Sequence, residues 1–282
     1  MKKVITGLVF DEERALYNLT DTVVENCTFA GEADGESAFK ESRGITVKNC
    51  DFQLRYPLWH TTDFKISDSK MSVTCRAPLW YSRNGVITDC VIDGVKCLRE
   101  CENIEIINTK VVSPEFGWRC TNLRFKDCDM ESEYYLFGTK GAEIEQLKMK
   151  GKYSFQYTEN IHIKDSVLNT KDAFWHCKNI TVENCVINGE YLAWYSDGLT
   201  LKNCIISGTQ PLCYCKNLRI IDCTMENADL AFEYSDVRAD IRGSLISVKN
   251  PHSGYIKADS IGEVILGNSV MKNNCDIITA DK

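Results

Sequence analysis

The sequence predicts an all-β chain wound as a parallel β-helix, and three observations carry that prediction. A phrase of the form apolar-x-apolar-x-(Asn/Asp)-(small)-x-apolar returns thirteen times, its marked position falling at Cys27, Cys50, Ser69, Cys90, Thr109, Cys128, Leu147, Ser166, Cys185, Cys204, Cys223, Ser244 and Ser269. The spacing is 19 residues over seven successive intervals, from Cys90 to Cys223, and 19 to 25 elsewhere. Within the phrase apolar and polar residues alternate, which is the period of a strand and not of a helix. A fixed short period over nearly the whole length is the mark of a solenoid.

Each element of a coil follows from its residues. Ile45-Thr46-Val47-Lys48-Asn49-Cys50-Asp51-Phe52 is one copy of the phrase, and its Ile, Val and Phe suit a pleated surface. Nineteen residues accommodate three short strands joined by tight turns. Coils stacked at ~4.8 Å give a rod roughly 60 Å long for thirteen coils, and no interior strand has a free edge. Asn or Asp precedes the marked residue in most copies, as in Asn26, Asn49, Asp68, Asp89, Asn184 and Asn203. These residues tolerate left-handed backbone, which a bend needs, and stacked amides can hydrogen-bond up the column. The column is therefore read as structural and not as an acidic metal row.

Seven of the 15 cysteines stand at the marked position, and Cys101, Cys120, Cys177 and Cys215 stand eleven residues further on, where other coils carry Ser or Thr. Cysteine that exchanges with Ser and Thr fills a place for a small side chain, so buried free thiols are expected. So many thiols argue for a reducing compartment, hence a cytoplasmic location. Cys213-x-Cys215 lacks the paired spacing of a zinc site, and no metal or cofactor is expected. The whole chain, residues 1–282, reads as one domain. Residues 1–19 are expected to cap the first coil with a strand and a short helix, residues 20–236 to form regular coils, and residues 237–282 to form irregular coils that close the other end.

The phrase N-x-I-x-I-x-N-C-x-I, with aromatic-rich segments such as Pro78-Leu79-Trp80-Tyr81-Ser82, resembles the right-handed parallel β-helices of the pectin-lyase-like superfamily. More narrowly, the opening Phe10-Asp11-Glu12-Glu13-Arg14-Ala15-Leu16-Tyr17 is similar to that of an uncharacterised bacterial family of unknown function within it. The resemblance spans essentially the whole chain. It implies a right-handed single-stranded β-helix and leaves activity open, because fold does not imply function. The Asn-Thr-Asp, Asp-Asp and Gly-His-Gly set of polygalacturonases is missing. So is an aspartate cluster placed for the calcium of pectate lyases, and those activities transfer to no residue here.

A net charge of −7 gives no basic footprint for nucleic acid. No apolar run approaches the ~18 residues of a membrane span. Chemistry must then lie on the outer face. Counted from the marked residue, position +8 is apolar or small throughout, as in Leu58, Phe155 and Leu212, and is placed inside. Position +9 holds all five tryptophans, Trp59, Trp80, Trp118, Trp175 and Trp194, together with Arg99 and Gln156. A regular strand would turn this row into the core; a bend would expose it. Arg99 and Gln156 favour exposure, since an unpaired guanidinium inside an aromatic stack costs several kcal/mol.

Position +10 brings His60, Tyr81, Glu100 and Arg119 into one column on four successive coils. Arg99 and Trp118 flank them, and Arg55, Arg76 and Glu115 come from loops on the same side. The column offers an acid or base in Glu100 or His60, a phenol in Tyr81, and guanidiniums that hold carboxylates bidentately. Glu100 and Glu115 are the obvious carboxylate pair for a hydrolase. A second cluster is Asp172, His176, Tyr195 and Tyr214. Two functions are carried forward. In one, the Trp-lined face binds or cleaves an acidic oligosaccharide, as a polysaccharide lyase or glycoside hydrolase would, with Glu100, Arg119, His60 and Tyr81 as catalytic candidates and Trp59, Trp80, Arg99, Trp118, Arg76, Trp175 and Trp194 binding substrate. In the other, the aromatic face is a non-catalytic scaffold for a homo-oligomer or another protein.

Overall fold

In the computed structural model residues 3–32 and 36–280 are described. Met1, Lys2, Asp281 and Lys282, which the sequence reading assigned to the end segments, lie outside the described residues. Every regular element among the described residues is a β-strand, and the chain is a right-handed parallel β-helix with its coils about nineteen residues apart. No helix among the described residues is long and apolar enough to cross a membrane. Contacts divide the chain into two compact units, Met1–Glu143 and Ile144–Lys282.

In the first unit the long strands Thr62–Ser67, Arg83–Thr88, Glu102–Ile107 and Thr121–Lys126 pair in parallel. Their register stacks Ile66, Ile87, Ile106 and Phe125, all buried. Short strands after the bend stack Met71, Ile92, Val111 and Met130 in the same way. Phe10, Phe29 and Phe52 form a ring stack with centroids 5.2 and 4.8 Å apart. Packing also crosses coils in size: Gly85 faces Phe64, and a Cβ at Gly85 would overlap that ring. In the second unit Ile163, Val182 and Leu201 stack on the long strands, and Leu168, Ile187 and Ile206 on the short ones. Each such side chain, fully buried, contributes about 1.5–3 kcal/mol.

The bend between long and short strand depends on two neighbouring residues. The first is left-handed: φ is 51° at Asn49, 54° at Asp89 and 54° at Asn184. The amides ladder as expected, Asn49 Nδ2 donating to Asn26 Oδ1 at 2.7 Å and Asn203 Nδ2 to Asn184 Oδ1 at 2.9 Å. A second ladder, not anticipated, runs through Asp63, Asn84, Asn103 and Asn122 at the start of the long strands, also left-handed.

The second residue of the bend, the marked one, requires a donor as well as small size. Ser69, Thr109 and Ser166 each donate their hydroxyl to the carbonyl two residues earlier, at 2.7, 2.8 and 2.7 Å. The thiols of Cys50, Cys128 and Cys185 point at the matching carbonyls at 3.3, 3.2 and 3.0 Å. The same atoms accept an N–H from the coil before: Cys50 N donates to Ser69 Oγ at 3.0 Å, Leu147 N to Ser166 Oγ at 3.0 Å, and Ser166 N to Cys185 Sγ at 3.4 Å. Cys, Ser and Thr exchange here because each can both donate and accept at a buried corner.

Two expectations need correction. The third segment of most coils is a run of turns and not a strand. Its backbone is left-handed at alternate residues, as at Tyr153, Phe155 and Tyr157 with φ of 52°, 61° and 57°. Among the described residues Cys97–Arg99, Glu115–Trp118 and Tyr134–Tyr135 pair there as strands. The helix expected within residues 1–19 is absent too among the described residues. Lys3–Thr6 pairs with Thr22–Glu25, Val9–Phe10 with Thr28–Phe29, and the intervening turn residues donate to the next coil, Arg14 N to Glu36 O and Leu16 N to Ala38 O. This stretch is a full coil in which Gly7, at φ 68°, takes the place of the asparagine. It leaves Val4, Leu8 and Val9 exposed.

At the other end the register shifts between Ile220 and Cys223, and the period shortens, so that Ser244 meets Ser260 sixteen residues on. Val264, Leu266, Val270 and Ile278 stay exposed, so these coils do not bury their own outer edge.

The corner hydrogen bonds set a direct expectation. Cys185→Ser should leave the melting temperature nearly unchanged. Cys185→Ala leaves the Ser166 N–H buried without an acceptor and should cost about 1–3 kcal/mol in chemical denaturation.

Candidate functional site

The third segments present the outer face. Position +8 is buried in the coils marked from Cys50 to Cys223, for example Leu58, Leu79, Phe174 and Ala193. The tryptophans at +9 are neither core nor a fully exposed strip, but half-buried. Each indole lies over the next coil and donates its N–H to a main-chain carbonyl: Trp59 to Ala77 at 2.8 Å, Trp80 to Lys96 at 2.8 Å, Trp118 to Tyr134 at 3.2 Å. In the second unit Trp175 donates to Tyr191 and Trp194 to Gln210. Gln156 occupies the same position and does the same, its Nε2 reaching Asp172 O at 3.0 Å.

The rings stack on one another. Trp59 and Trp80 lie 5.3 Å apart at 5°, and Trp175 and Trp194 lie 5.3 Å apart at 2°. Arg99 resolves the difficulty its charge posed: its guanidinium sits between the rings of Trp80 and Trp118, 4.8 and 5.0 Å from their centroids. Such cation–π contacts contribute about 0.5–2 kcal/mol each. Its charge is met by Glu115 at 3.7 Å, which also faces Lys96 at 3.8 Å. Both faces of Trp80 are thus covered, and Glu115 is held by two cations.

The +10 column assembles as the sequence arranged it. His60 N donates to Trp80 O, Tyr81 N to Arg99 O and Glu100 N to Trp118 O, so the four residues stand on successive coils. His60 and Tyr81 stack at 4.9 Å. Glu100 and Arg119 share an open depression of about 310 Å³ with Arg83, Glu102 and Thr121. Arg83 and Glu102 were not singled out in the sequence; the signal was a charged pair at one repeat position, two residues past the column. They lie 3.7 Å apart, and both are largely exposed. Arg119 makes no ion pair among the described residues. Arg76 is exposed and away from this depression.

In the second unit Tyr157, His176, Tyr195 and Tyr214 form one continuous stack, with centroids 4.9, 5.0 and 4.7 Å apart. Asp172, grouped with them in sequence, lies apart from the stack, 7% exposed, its main-chain oxygen under Gln156. Burial raises its carboxyl above the usual range, while Lys171 and Lys152 pull it down.

The thiols are buried except Cys275, which is partly exposed. Burial pushes Cys50 up to about 11 and Cys213 up to about 12. Cys185 runs the other way, held below the usual thiol value by a hydrogen bond from Cys204. It is 1% exposed and committed to its corner.

The sequence matches the family described as "Protein of unknown function (DUF3737)" over residues 3–278. The chain belongs to this family. No curated protein matches it. Among solved structures, PfbA, a surface adhesin of Streptococcus pneumoniae, is similar at 9% identity, with 89% of this chain and 83% of that one covered and a TM-score of 0.49. The A-module of the mannuronan C-5 epimerase AlgE4 of Azotobacter vinelandii aligns at 9% identity over 99% and 88% of the two chains, TM-score 0.29. The tailspike of Escherichia coli bacteriophage HK620, solved with a pentasaccharide, aligns at 11% identity over 98% and 65%, TM-score 0.38. At these identities the likeness is one of fold alone.

The raised Asp172 carboxyl fixes the sign of a pH effect. An acid whose folded value is raised binds its proton more tightly when folded, so it costs stability as pH climbs past the unfolded value, and the cost is constant above the folded one. Asp172→Asn should therefore melt at a higher temperature than the parent near pH 7, and the gap should close toward about pH 3. Gln156 donates to the main chain of this residue, so that bond survives the substitution.

Proposed function

We propose that the protein binds an acidic oligosaccharide along the outer face of the Met1–Glu143 unit, centred on Glu100 and Arg119. One observation carries this reading: the open depression joins Arg83, Glu100, Glu102 and Arg119 from neighbouring coils, and Arg119 has no internal ion pair among the described residues to compete with a ligand. A guanidinium in that position can take a carboxylate through two parallel hydrogen bonds. The column above it continues the surface through Tyr81 and His60, one polar group per coil, spaced for an extended polymer lying along the stacking direction. The tryptophans hold the corner in this reading, since their faces are covered by one another and by Arg99, and they offer edges to a ligand.

Binding is favoured over cleavage. Glu115, the second carboxylate a hydrolase would use with Glu100, is engaged by Lys96 and Arg99, and the depression is too open to exclude water. The thiol content suits a reducing, cytoplasmic setting, where the ligand would be an imported oligosaccharide. A scaffold role is the second reading, favoured by the exposed ring stack of the other unit.

Titration calorimetry with oligogalacturonate and with a neutral oligosaccharide of equal length tests the proposal. Uronate binding that weakens about tenfold or more in Arg119→Ala is expected, the loss of a charge-assisted contact. Absence of uronate binding, or equal affinity for the neutral oligomer, defeats it.

A further inference from the structure

The ring stack of the Ile144–Lys282 unit is exposed, with Tyr157 at 50% and Tyr195 at 47%. Its rings lie face to face along the stacking direction, so the surface they offer is a comb of ring edges, hydroxyls and one imidazole. Tyrosine is enriched in protein interfaces, where its ring is buried and its hydroxyl finds a partner.

A charged column runs beside the comb, two residues further along each coil. Glu159, Lys178, Asp197 and Lys216 are direct neighbours on successive coils. Their signs alternate without a break. The surface thus carries an apolar-aromatic column and an alternating charged column side by side.

We infer that this face is an isologous contact between two copies of the chain. A two-fold axis lying in the contact plane and perpendicular to the stacking direction runs each column antiparallel against its own copy. The charge pattern then selects the register. With the axis through a coil, Lys178 would meet Lys216 of the second copy, or Glu159 would meet Asp197, and every pair would repel. With the axis midway between the coils of Lys178 and Asp197, Lys178 meets Asp197 of the second copy and Glu159 meets Lys216. The same placement sets His176 against Tyr195 and Tyr157 against Tyr214. Like charges suppress one register and opposite charges favour the other, which is how charge confers specificity at an interface. The occupant is a second copy because the alternating column complements itself under that operation, and centring the four-ring stack on the axis chooses among the midway placements. The contact is small, so the dimer is weak and sensitive to salt. This inference stands apart from the oligosaccharide reading, whose residues all lie in the other unit.

Zero-length carbodiimide cross-linking with peptide mass spectrometry tests it, alongside sedimentation over a range of protein concentrations. Within one chain Glu159 and Lys216 stand three coils apart, about 14 Å at the parallel-strand spacing, too far for a direct amide bond. A Glu159–Lys216 cross-link therefore reports a second copy. A concentration-dependent dimer, loosened by salt and carrying that link, is expected. Lys216→Glu should weaken it about tenfold, and Glu159→Lys combined with Lys216→Glu should restore it. If Lys216→Glu does not fold, the cross-link in the unaltered protein decides. A monomer at every concentration, a dimer without the Glu159–Lys216 link, or a folded Lys216→Glu protein that dimerises as the parent does overturns the inference.

Discussion

The fold depends on how each coil satisfies its buried corner. A chain that turns sharply between two stacked strands leaves an N–H and a C=O facing the interior, and each would cost free energy if unpaired. One side chain solves both: a hydroxyl or thiol that accepts from the coil before and donates to the carbonyl two residues back, as Ser166 does. The left-handed asparagine just before it makes the turn and ties it to its neighbours through the amide ladder. Both devices act between coils, so neither works in an isolated turn.

With the corner satisfied, the interior can be filled by aliphatic stacks and the exterior is free to vary. The third segment uses that freedom. Its alternating left-handed residues place a buried side chain at +8 and let +9 and +10 both reach outward. Where the +9 side chain is Trp or Gln, it folds back over the next coil and its N–H reaches a carbonyl there. Trp does so in five coils and Gln156 in another, while Arg99 lies between two indoles instead. The row is a buttress, and the +10 column stands outside it.

The two units use that column differently. In one it carries His60, Tyr81, Glu100 and Arg119, a graded polar surface. In the other it carries stacked rings beside an alternating charged row. Both units repeat the same long and short strands, and they differ in the third segment, which pairs in part as strands in the first unit, and in the side chains it carries. The aliphatic stacks and the corner donors that hold the coils together are buried, whereas the Asn ladders do the same work at the surface.

Much of this was legible in the residues. The period, the inward +8 row, the Asn ladder and the successive-coil column of Glu100 and Arg119 follow from spacing, because every coil meets the same neighbours and repeats the same solution. The second ladder through Asp63, Asn84 and Asn103 was equally visible as a column and was passed over. The first coil escaped notice because Gly7 and Leu8 stand where Asn and a small donor mark the others, and the phrase alone cannot show that glycine satisfies the same backbone requirement. Where the tryptophans point was decided only in three dimensions. Alternation assigns faces when every residue of a segment is extended, and in the third segments the backbone is left-handed at +10 and, in many coils, at +6 and +8 as well. Likewise Arg99 reads from the sequence as a charge too costly to bury, and only the stacking of coils supplies the two indoles and the carboxylate that accommodate it.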